Sequence, residues 1–179
     1  SGNTAMGYRS MANNKGNYNT AYGSISLYSN NTGVYNVAVG EETSYANSSG
    51  GYNTAVGALS MYNNTASNNT GVGYYALRNK QGGDNNTALG YRAGEGASVG
   101  TYSNNIFIGY QAANNITSGA QNNIVIGYDV DLSTANGTNL LNIGNLIFGT
   151  GIDGTGTTLS SGSIGIGTTS PDTKLEVAG

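Results

Sequence analysis

The acidic side chains are the first candidates for chemistry, because the chain contains no histidine and no cysteine. Disulfides, thiolate nucleophiles, histidine-based triads and the common zinc sites are therefore excluded. Glycoside hydrolysis needs two carboxyl groups that face each other across roughly 5 to 9.5 Å. Glu41 and Glu42 are sequence neighbours and would point to opposite faces of a strand. Asp129 and Asp131 would share a face, which makes them the better candidates for an acid pair or a calcium site.

Neither role is well supported for this pair of aspartates. Calcium takes roughly six to eight oxygen ligands, and two carboxylates at this spacing occur often by chance, so we interpret the pair as solvated surface. Asp153 lies in a glycine-rich stretch and reads as a turn. Residues 149–151 lack the lysine and the helix that a phosphate-binding loop requires. The sequence therefore predicts a protein that is not an enzyme and that has no catalytic residue, no metal and no cofactor.

Tyrosine gives the more distinctive spacing. Aromatic pairs between neighbours can be purely structural, since they contribute about 0.5 to 1.5 kcal/mol beyond burial. Asn, Arg or Glu follows at the same positions in later repeats, which favours solvent exposure. Exposed, evenly spaced rings beside amide groups suit a sugar chain, so we predict that a glycan receptor binds here, along the second to fourth coils. Each of these three repeats contributes one tyrosine to each of two columns. The first tyrosine column is Tyr18, Tyr35 and Tyr52, and the second tyrosine column is Tyr28, Tyr45 and Tyr62.

A repeat built on Asn-Thr-Ala-x-Gly must position these tyrosines. The phrase is clearest in residues 19–23 and 53–57, and its glycine recurs at short, nearly constant intervals along the chain. A short fixed period means that each unit contacts mainly its neighbours, so the chain should grow as a solenoid with a continuous core. The anchoring glycines are Gly7, Gly23, Gly40, Gly57, Gly73, Gly90, Gly109, Gly127 and Gly144. Directly after four of them stands a third tyrosine column, Tyr74, Tyr91, Tyr110 and Tyr128.

The residues before each anchoring glycine alternate in size, which predicts a strand. The position just before the glycine is apolar, as in Val39 and Val56, and we expect it to be buried. The position two before the glycine is small, mostly alanine. Four before the glycine stands an asparagine, which we interpret as a turn residue that accepts left-handed geometry and bonds its own backbone, and not as a ligand. Asparagine ladders should add amide hydrogen bonds between coils. With a second short run after the glycine, one coil is predicted to contain two strands and two turns.

The charged content of only 8% fits a stack of this kind. Equal charges in the same column of adjacent coils would repel each other. A net charge of −3 with scattered basic residues argues against a partner that is a nucleic acid or an anionic membrane. No run of about 18 apolar residues is present, so no membrane insertion is expected.

We therefore predict an all-β fold with two regions. Residues 1–148 should form a parallel β-roll, or β-solenoid, of about nine coils, each of roughly 16 to 19 residues. One coil is too thin to bury its own apolar columns, so we expect a homotrimer, most simply around a threefold axis. Residues 149–179 lose the period and are rich in Gly, Thr and Ser, which indicates a short β-rich connector or neck.

The repeat over residues 3–144 resembles the heads of trimeric autotransporter adhesins, in which similar units build a left-handed parallel β-roll. Residues 165–177, GIGTTSPDTKLEV, look like the segment that precedes an endosialidase-type intramolecular chaperone in phage tail fibres. That resemblance implies a trimeric fibre with a chaperone domain downstream. Because Ser1 already lies within a repeat, we expect the chain to be a fragment.

Together these features predict a structural and receptor-binding segment of a trimeric extracellular fibre, in a virion tail or on a cell surface. A phage tail fibre, or the fibre of a similar injection machine, is the first hypothesis. The head of a bacterial cell-surface adhesin is the alternative, and a glycan depolymerase tail spike comes third. The expected partners are two further copies of the chain and a glycan or protein receptor on a cell.

Overall fold

The computed structural model describes residues 2–179, which form a parallel β-solenoid without any helix. Nine three-residue strands stack in parallel, giving about eight turns. Pairing joins equivalent positions of successive repeats, for example Ala21 with Ala38 and Ala38 with Ala55. The predicted all-β solenoid is therefore confirmed. The strands are β1 (Thr4–Met6), β2 (Thr20–Tyr22), β3 (Val37–Val39), β4 (Thr54–Val56), β5 (Thr70–Val72), β6 (Lys80–Gly82), β7 (Thr87–Leu89), β8 (Gly100–Thr101), β9 (Ile106–Ile108), β10 (Ile124–Ile126), β11 (Leu141–Ile143), β12 (Ile147–Gly149), β13 (Ile164–Ile166) and β14 (Leu175–Val177).

The middle residue of each stacked strand points into the coil, and the two flanking residues point out. Ala38 is fully buried, whereas Val37 keeps 37% of its surface exposed and Val39 is half-buried. The prediction that the large apolar column lies inside the coil is therefore wrong for the single chain. A coil of this width has room for an alanine between its walls, so the small residue takes the inner position and the large one faces outward.

The run after the anchoring glycine is a sequence of turns and not a second strand, which corrects the predicted coil. Alternate residues there have positive φ, such as +56° at Ile25 and +49° at Leu27. The turns still bond to neighbouring coils, since the Leu27 N–H donates to the Thr43 carbonyl at 2.9 Å. Leu27 and its equivalents Met61 and Leu77 are fully buried. These side chains supply the large apolar groups that close the interior opposite the alanines.

The anchoring glycine is required because successive coils approach each other closely at this point. Gly23 has a φ of +137°, and a Cβ there would lie only 2.4 Å from the carbonyl oxygen of Gly40. A side chain would therefore meet both an unfavourable backbone conformation and the backbone of the next coil.

The asparagine column forms a buried ladder between coils. The N–H of Asn36 donates to Oδ1 of Asn19 at 2.9 Å, and the Asn36 side-chain amide donates to the Gly50 carbonyl at 2.8 Å. The same N–H to Oδ1 bond recurs from Asn3 to Asn123 and ends on the N–H of Leu140. The predicted hydrogen bonds between coils are therefore present, whereas the left-handed geometry expected of the asparagine falls on the residue before it, such as Tyr35 before Asn36.

The inward-pointing side chain of the strand becomes larger toward the C-terminal coils. Phe107 occupies the inner position that alanine holds in earlier strands, and it is fully buried. The extra volume is matched by a loss opposite it, because Gly94 stands where Leu77 stands one coil earlier. A Cβ at Gly94 would lie 2.4 Å from the Phe107 ring. The buried Tyr102 packs edge-on against Phe107 and donates its hydroxyl to the Gly94 carbonyl at 2.5 Å.

Strand direction changes after the last parallel coil. Strand β12 pairs antiparallel with β11, β13 pairs antiparallel with β12, and β13 pairs in parallel with β14. Strand β12 crosses the predicted boundary between residues 148 and 149. The division into a roll and a neck stays a prediction.

Candidate functional site

The carboxylates considered for catalysis or calcium binding do not assemble a site in the described part of the chain. No group of three or more Asp and Glu side chains that could hold a metal occurs within residues 2–179. Asp129 is exposed, and Asp131 Oδ1 accepts a hydrogen bond from the Asn115 N–H at 3.0 Å. Glu41 and Glu42 lie in the turn run, where Glu42 has a φ of +50°. Asp153 accepts hydrogen bonds from Ser161, which lower the pKa of its carboxyl group.

The first tyrosine column is an exposed stack. The ring centroids of Tyr18 and Tyr35 are 4.9 Å apart, and those of Tyr35 and Tyr52 are 5.3 Å apart, with interplanar angles of 10° and 16°. All three rings keep at least half of their surface in solvent. Their φ angles are +57°, +57° and +59°, so each tyrosine adopts the left-handed conformation. Sequence spacing located this stack, but nothing in the spacing revealed its backbone conformation.

The second tyrosine column is more deeply packed. Its rings are half-buried and stack at 5.4 Å between Tyr28 and Tyr45 and at 4.9 Å between Tyr45 and Tyr62. The Arg78 guanidinium lies 5.9 Å from the Tyr62 ring centroid and 4.4 Å from that of Tyr75. Burial, with a smaller contribution from Glu42, raises the pKa of Tyr62. An arginine therefore caps this column at its C-terminal end.

A buried carboxylate holds that arginine in place. Glu95 is almost fully buried and forms ion pairs with Arg78, at 3.8 Å, and with Arg92. The column that begins with tyrosines thus continues as a cation and then an anion in successive coils. This arrangement favours a structural role for the second tyrosine column.

Stacking limits the chemistry that either column can offer. A ring with neighbours about 5 Å away on both sides, such as Tyr35 or Tyr45, has neither face free for a sugar ring. Inside the columns, therefore, no ring face is available to lie against a pyranose ring. What the first tyrosine column exposes is a row of ring edges and hydroxyl groups.

An outward apolar face runs along the stacked strands, and sequence reasoning had placed half of it inside. It combines the two flanking positions of each strand, which are half-buried or exposed. The position just before the anchoring glycine is apolar or tyrosine in all nine strands, as in Val56 and Leu89, whereas the other is threonine in five strands and apolar in four, as in Val37 and Ile106. Beside its C-terminal half stands the third tyrosine column, whose rings stack at 4.9 to 5.5 Å and remain largely exposed. We call this surface the apolar sheet face. The alternation of large and small residues in the sequence does indicate this face, provided that the small residue is taken to point inward and the large residues outward.

A buried lysine was also missed. Seven residues after the anchoring glycine stands a second asparagine column, Asn14, Asn30, Asn47 and Asn64, and Lys80 takes the next place in it. Lys80 is fully buried, and its Nζ donates to Oδ1 of Asn64 at 2.8 Å. Burial lowers the pKa of Lys80 to about 7, against an opposing effect of Asp84. The position in the column was readable from the sequence, but the burial was not.

Comparison with known proteins adds no assignment to this geometry. No protein-family model, curated protein or solved structure matches the chain. The function has to be argued from the surfaces described above. Residues 2–179 also contain no helix that is long and apolar enough to cross a membrane.

Proposed function

We propose that the chain is a structural and receptor-binding segment of a homotrimeric extracellular fibre that attaches to a cell surface. The observation that carries this proposal is the apolar sheet face, which runs over nine parallel strands and has no cover within residues 2–179. An apolar surface of this extent marks an interaction site in a soluble protein.

Further copies of the chain suit the apolar sheet face for two reasons. Every copy carries the same columns at the same spacing, so two faces match along their whole length when the solenoids run parallel. The face is also nearly free of charge, so symmetry does not bring like charges together. Resemblance to trimeric adhesin heads and to tail fibres favours three copies around an axis parallel to the stack.

A structural role is also supported by what the carboxylates do. Asp131 accepts a backbone hydrogen bond, Glu95 is buried between two arginines, and Asp153 is engaged by Ser161. None of these arrangements presents two free carboxyl groups across a cleft. We therefore propose a binding and spacing function without catalysis, with the receptor surface on the second to fourth coils, where the first and second tyrosine columns lie.

Oligomeric state tests the proposal directly. Size-exclusion chromatography with light scattering, at micromolar protein, should give three times the mass of a single chain. The trimer should persist on dilution, because the apolar sheet face would otherwise be returned to water. A folded monomer that is stable at micromolar concentration would overturn the proposal.

A further inference from the structure

The first tyrosine column occupies a backbone position that ordinarily selects another residue. Five residues before the anchoring glycine, later coils place Asn68, Asn85, Asn104, Asn122 and Asn139, all with φ between +57° and +62°. Asparagine tolerates this left-handed conformation, whereas a bulky aromatic residue in it is uncommon. Tyrosine in three consecutive coils therefore runs against local backbone preference.

Burial does not compensate for that conformation. Leu27, Met61 and Leu77 also have positive φ, but their side chains are fully buried and fill the core. Tyr18, Tyr35 and Tyr52 leave 56%, 50% and 61% of their surface exposed. The packing that these rings do gain is their stacking on one another, at 4.9 and 5.3 Å between centroids. Positive φ also occurs at partly exposed residues two after the glycine, such as Ile25 and Leu59, so what sets the three tyrosines apart is that large exposed rings stand where later coils carry asparagine.

The stack presents its hydroxyl edges as a row along the solenoid axis. Ring centroids advance by 4.9 and 5.3 Å from coil to coil, which is close to the advance per sugar in an extended β-linked glycan. The row continues as exposed amides, of which Asn85 donates to Asn104 at 3.0 Å. Hydroxyl and amide groups at one regular spacing are suited to the hydroxyl groups of a linear polymer that repeats at the same interval.

Charge indicates what kind of polymer fits. Between residues 16 and 66 the only charged residues are Glu41 and Glu42. Such a surface offers no cation to a phosphate, sulfate or uronic acid group, so a polyanion would not be attracted. The ligand class that fits both this lack of charge and the regular spacing of the row is a neutral, extended glycan.

From these observations, and resting on the attachment function proposed above, we infer that the first tyrosine column alone is the receptor-binding site. It binds a neutral, extended β-linked glycan along the solenoid axis, through ring edges and hydroxyl groups. The second tyrosine column, half-buried and capped by Arg78, is a structural support.

The test compares two triple variants whose new residues are taken from the chain's own repeat. Tyr18→Asn, Tyr35→Asn and Tyr52→Asn together install the residue that five later coils carry at the same φ. The matched control changes Tyr28, Tyr45 and Tyr62 to Asn, the residue at the equivalent position 114. Binding is measured by co-sedimentation with cellulose and chitin, at low and high salt, and light scattering reports the oligomeric state of each protein.

The parent should sediment with at least one of these glycans, equally at low and high salt. The first triple variant should keep the oligomeric state and melting temperature of the parent and lose about tenfold or more in affinity. The control variant should retain the parent's affinity and melt at a lower temperature. A parent that sediments with none of the glycans, or a first triple variant that binds like the parent, would overturn the inference.

Two further outcomes separate this inference from the proposed function. A monomeric parent that binds glycan, with binding lost in the first triple variant, would support the site and overturn the trimer. A first triple variant that dissociates into monomers would show that the column is an intersubunit contact, which would overturn the site and leave the trimer standing.

Discussion

The Nζ of Lys80 lies 2.8 Å from Oδ1 of Asn64, and both side chains are fully buried. The ammonium group thus replaces the amide that the second asparagine column places between earlier coils, where Asn30 donates to Asn14 at 2.6 Å. A buried amine without an ion pair is easier to hold as the neutral base, which explains why the pKa of Lys80 falls to about 7.

This pKa predicts that stability rises with pH above neutrality. Below about pH 7 the amine is protonated in both states, so folding carries the full cost of burying the charge. Between about pH 7 and the ordinary value of 10.5, the unfolded chain binds a proton that the folded chain does not, so the free energy of unfolding increases. Because the folded amine is still half protonated at about pH 7, we expect a gain of roughly 2 kcal/mol from about pH 7 to about pH 9, at no more than about 1.4 kcal/mol per pH unit.

Urea unfolding at a series of pH values measures this gain, and the matched control is Lys80→Asn, which restores the residue of the column. The variant should show a nearly flat profile over the same interval. Equal slopes for parent and variant would mean that Lys80 is not the titrating group.

A charge on the apolar sheet face should prevent assembly. Val56→Asp places a carboxylate on the outward side of β4, and we expect a loss of about 3 kcal/mol or more per copy when other copies cover it. The control is Asn68→Asp, which adds the same charge at an exposed position outside the face. Light scattering should find Val56→Asp monomeric and the control trimeric. A trimeric Val56→Asp with the parent's melting temperature would show that this face stays open to solvent.

Loss of one asparagine of the ladder should be costly. Asn53 Oδ1 accepts the Asn69 N–H at 2.9 Å, and its amide donates to the Ala66 carbonyl at 2.8 Å. Asn53→Ala leaves the Asn69 N–H buried without a partner, while the Ala66 carbonyl keeps the Asn64 amide at 3.0 Å, so we expect a loss of about 1 to 3 kcal/mol in the free energy of unfolding. Chemical unfolding of this variant beside Asn63→Ala, at a half-exposed position, provides the measurement. Similar losses in the two variants would argue against the ladder.

Two glycines with positive φ should respond very differently to alanine. A Cβ at Gly23 would lie 2.4 Å from the Gly40 carbonyl oxygen, whereas a Cβ at Gly144 meets nothing within 4 Å. Gly144→Ala should therefore cost only the left-handed conformation, about 1 to 2 kcal/mol. Gly23→Ala also forces two coils apart, so we expect a larger loss or failure to fold, read by thermal melting. If both variants melt together, close approach between coils is not what selects glycine.

The solenoid was predictable because spacing carries it. Glycines at nearly constant intervals determine which positions lie above one another, and the strand register follows that alignment. Which residues of each strand point into the coil was not predictable in the same way. An alternation such as Val37, Ala38, Val39 is equally regular whichever member points inward, and only the width of the coil decides that alanine does.

The position of the candidate site was predictable from the sequence, but its backbone conformation and the accessibility of its ring faces were not. Tyr18, Tyr35 and Tyr52 are each one repeat apart in the sequence, which places them in one column, and the structure shows them stacked there. Their left-handed backbone and covered ring faces depend on how the turn closes, which no pattern of side chains reports. Lys80 escaped notice for a related reason, since a charged residue in a turn ordinarily lies in solvent.

The inter-coil hydrogen bonds described above point nearly along the rod, and this has a mechanical consequence. When the two ends are pulled apart, the hydrogen bonds of one coil break before those of the next coil are loaded. The hydrogen bonds of many coils are therefore not sheared at the same time. Each coil that peels away releases roughly 60 Å of extended chain. A solenoid of this kind is therefore expected to lengthen in steps under tension, while its remaining coils keep their shape.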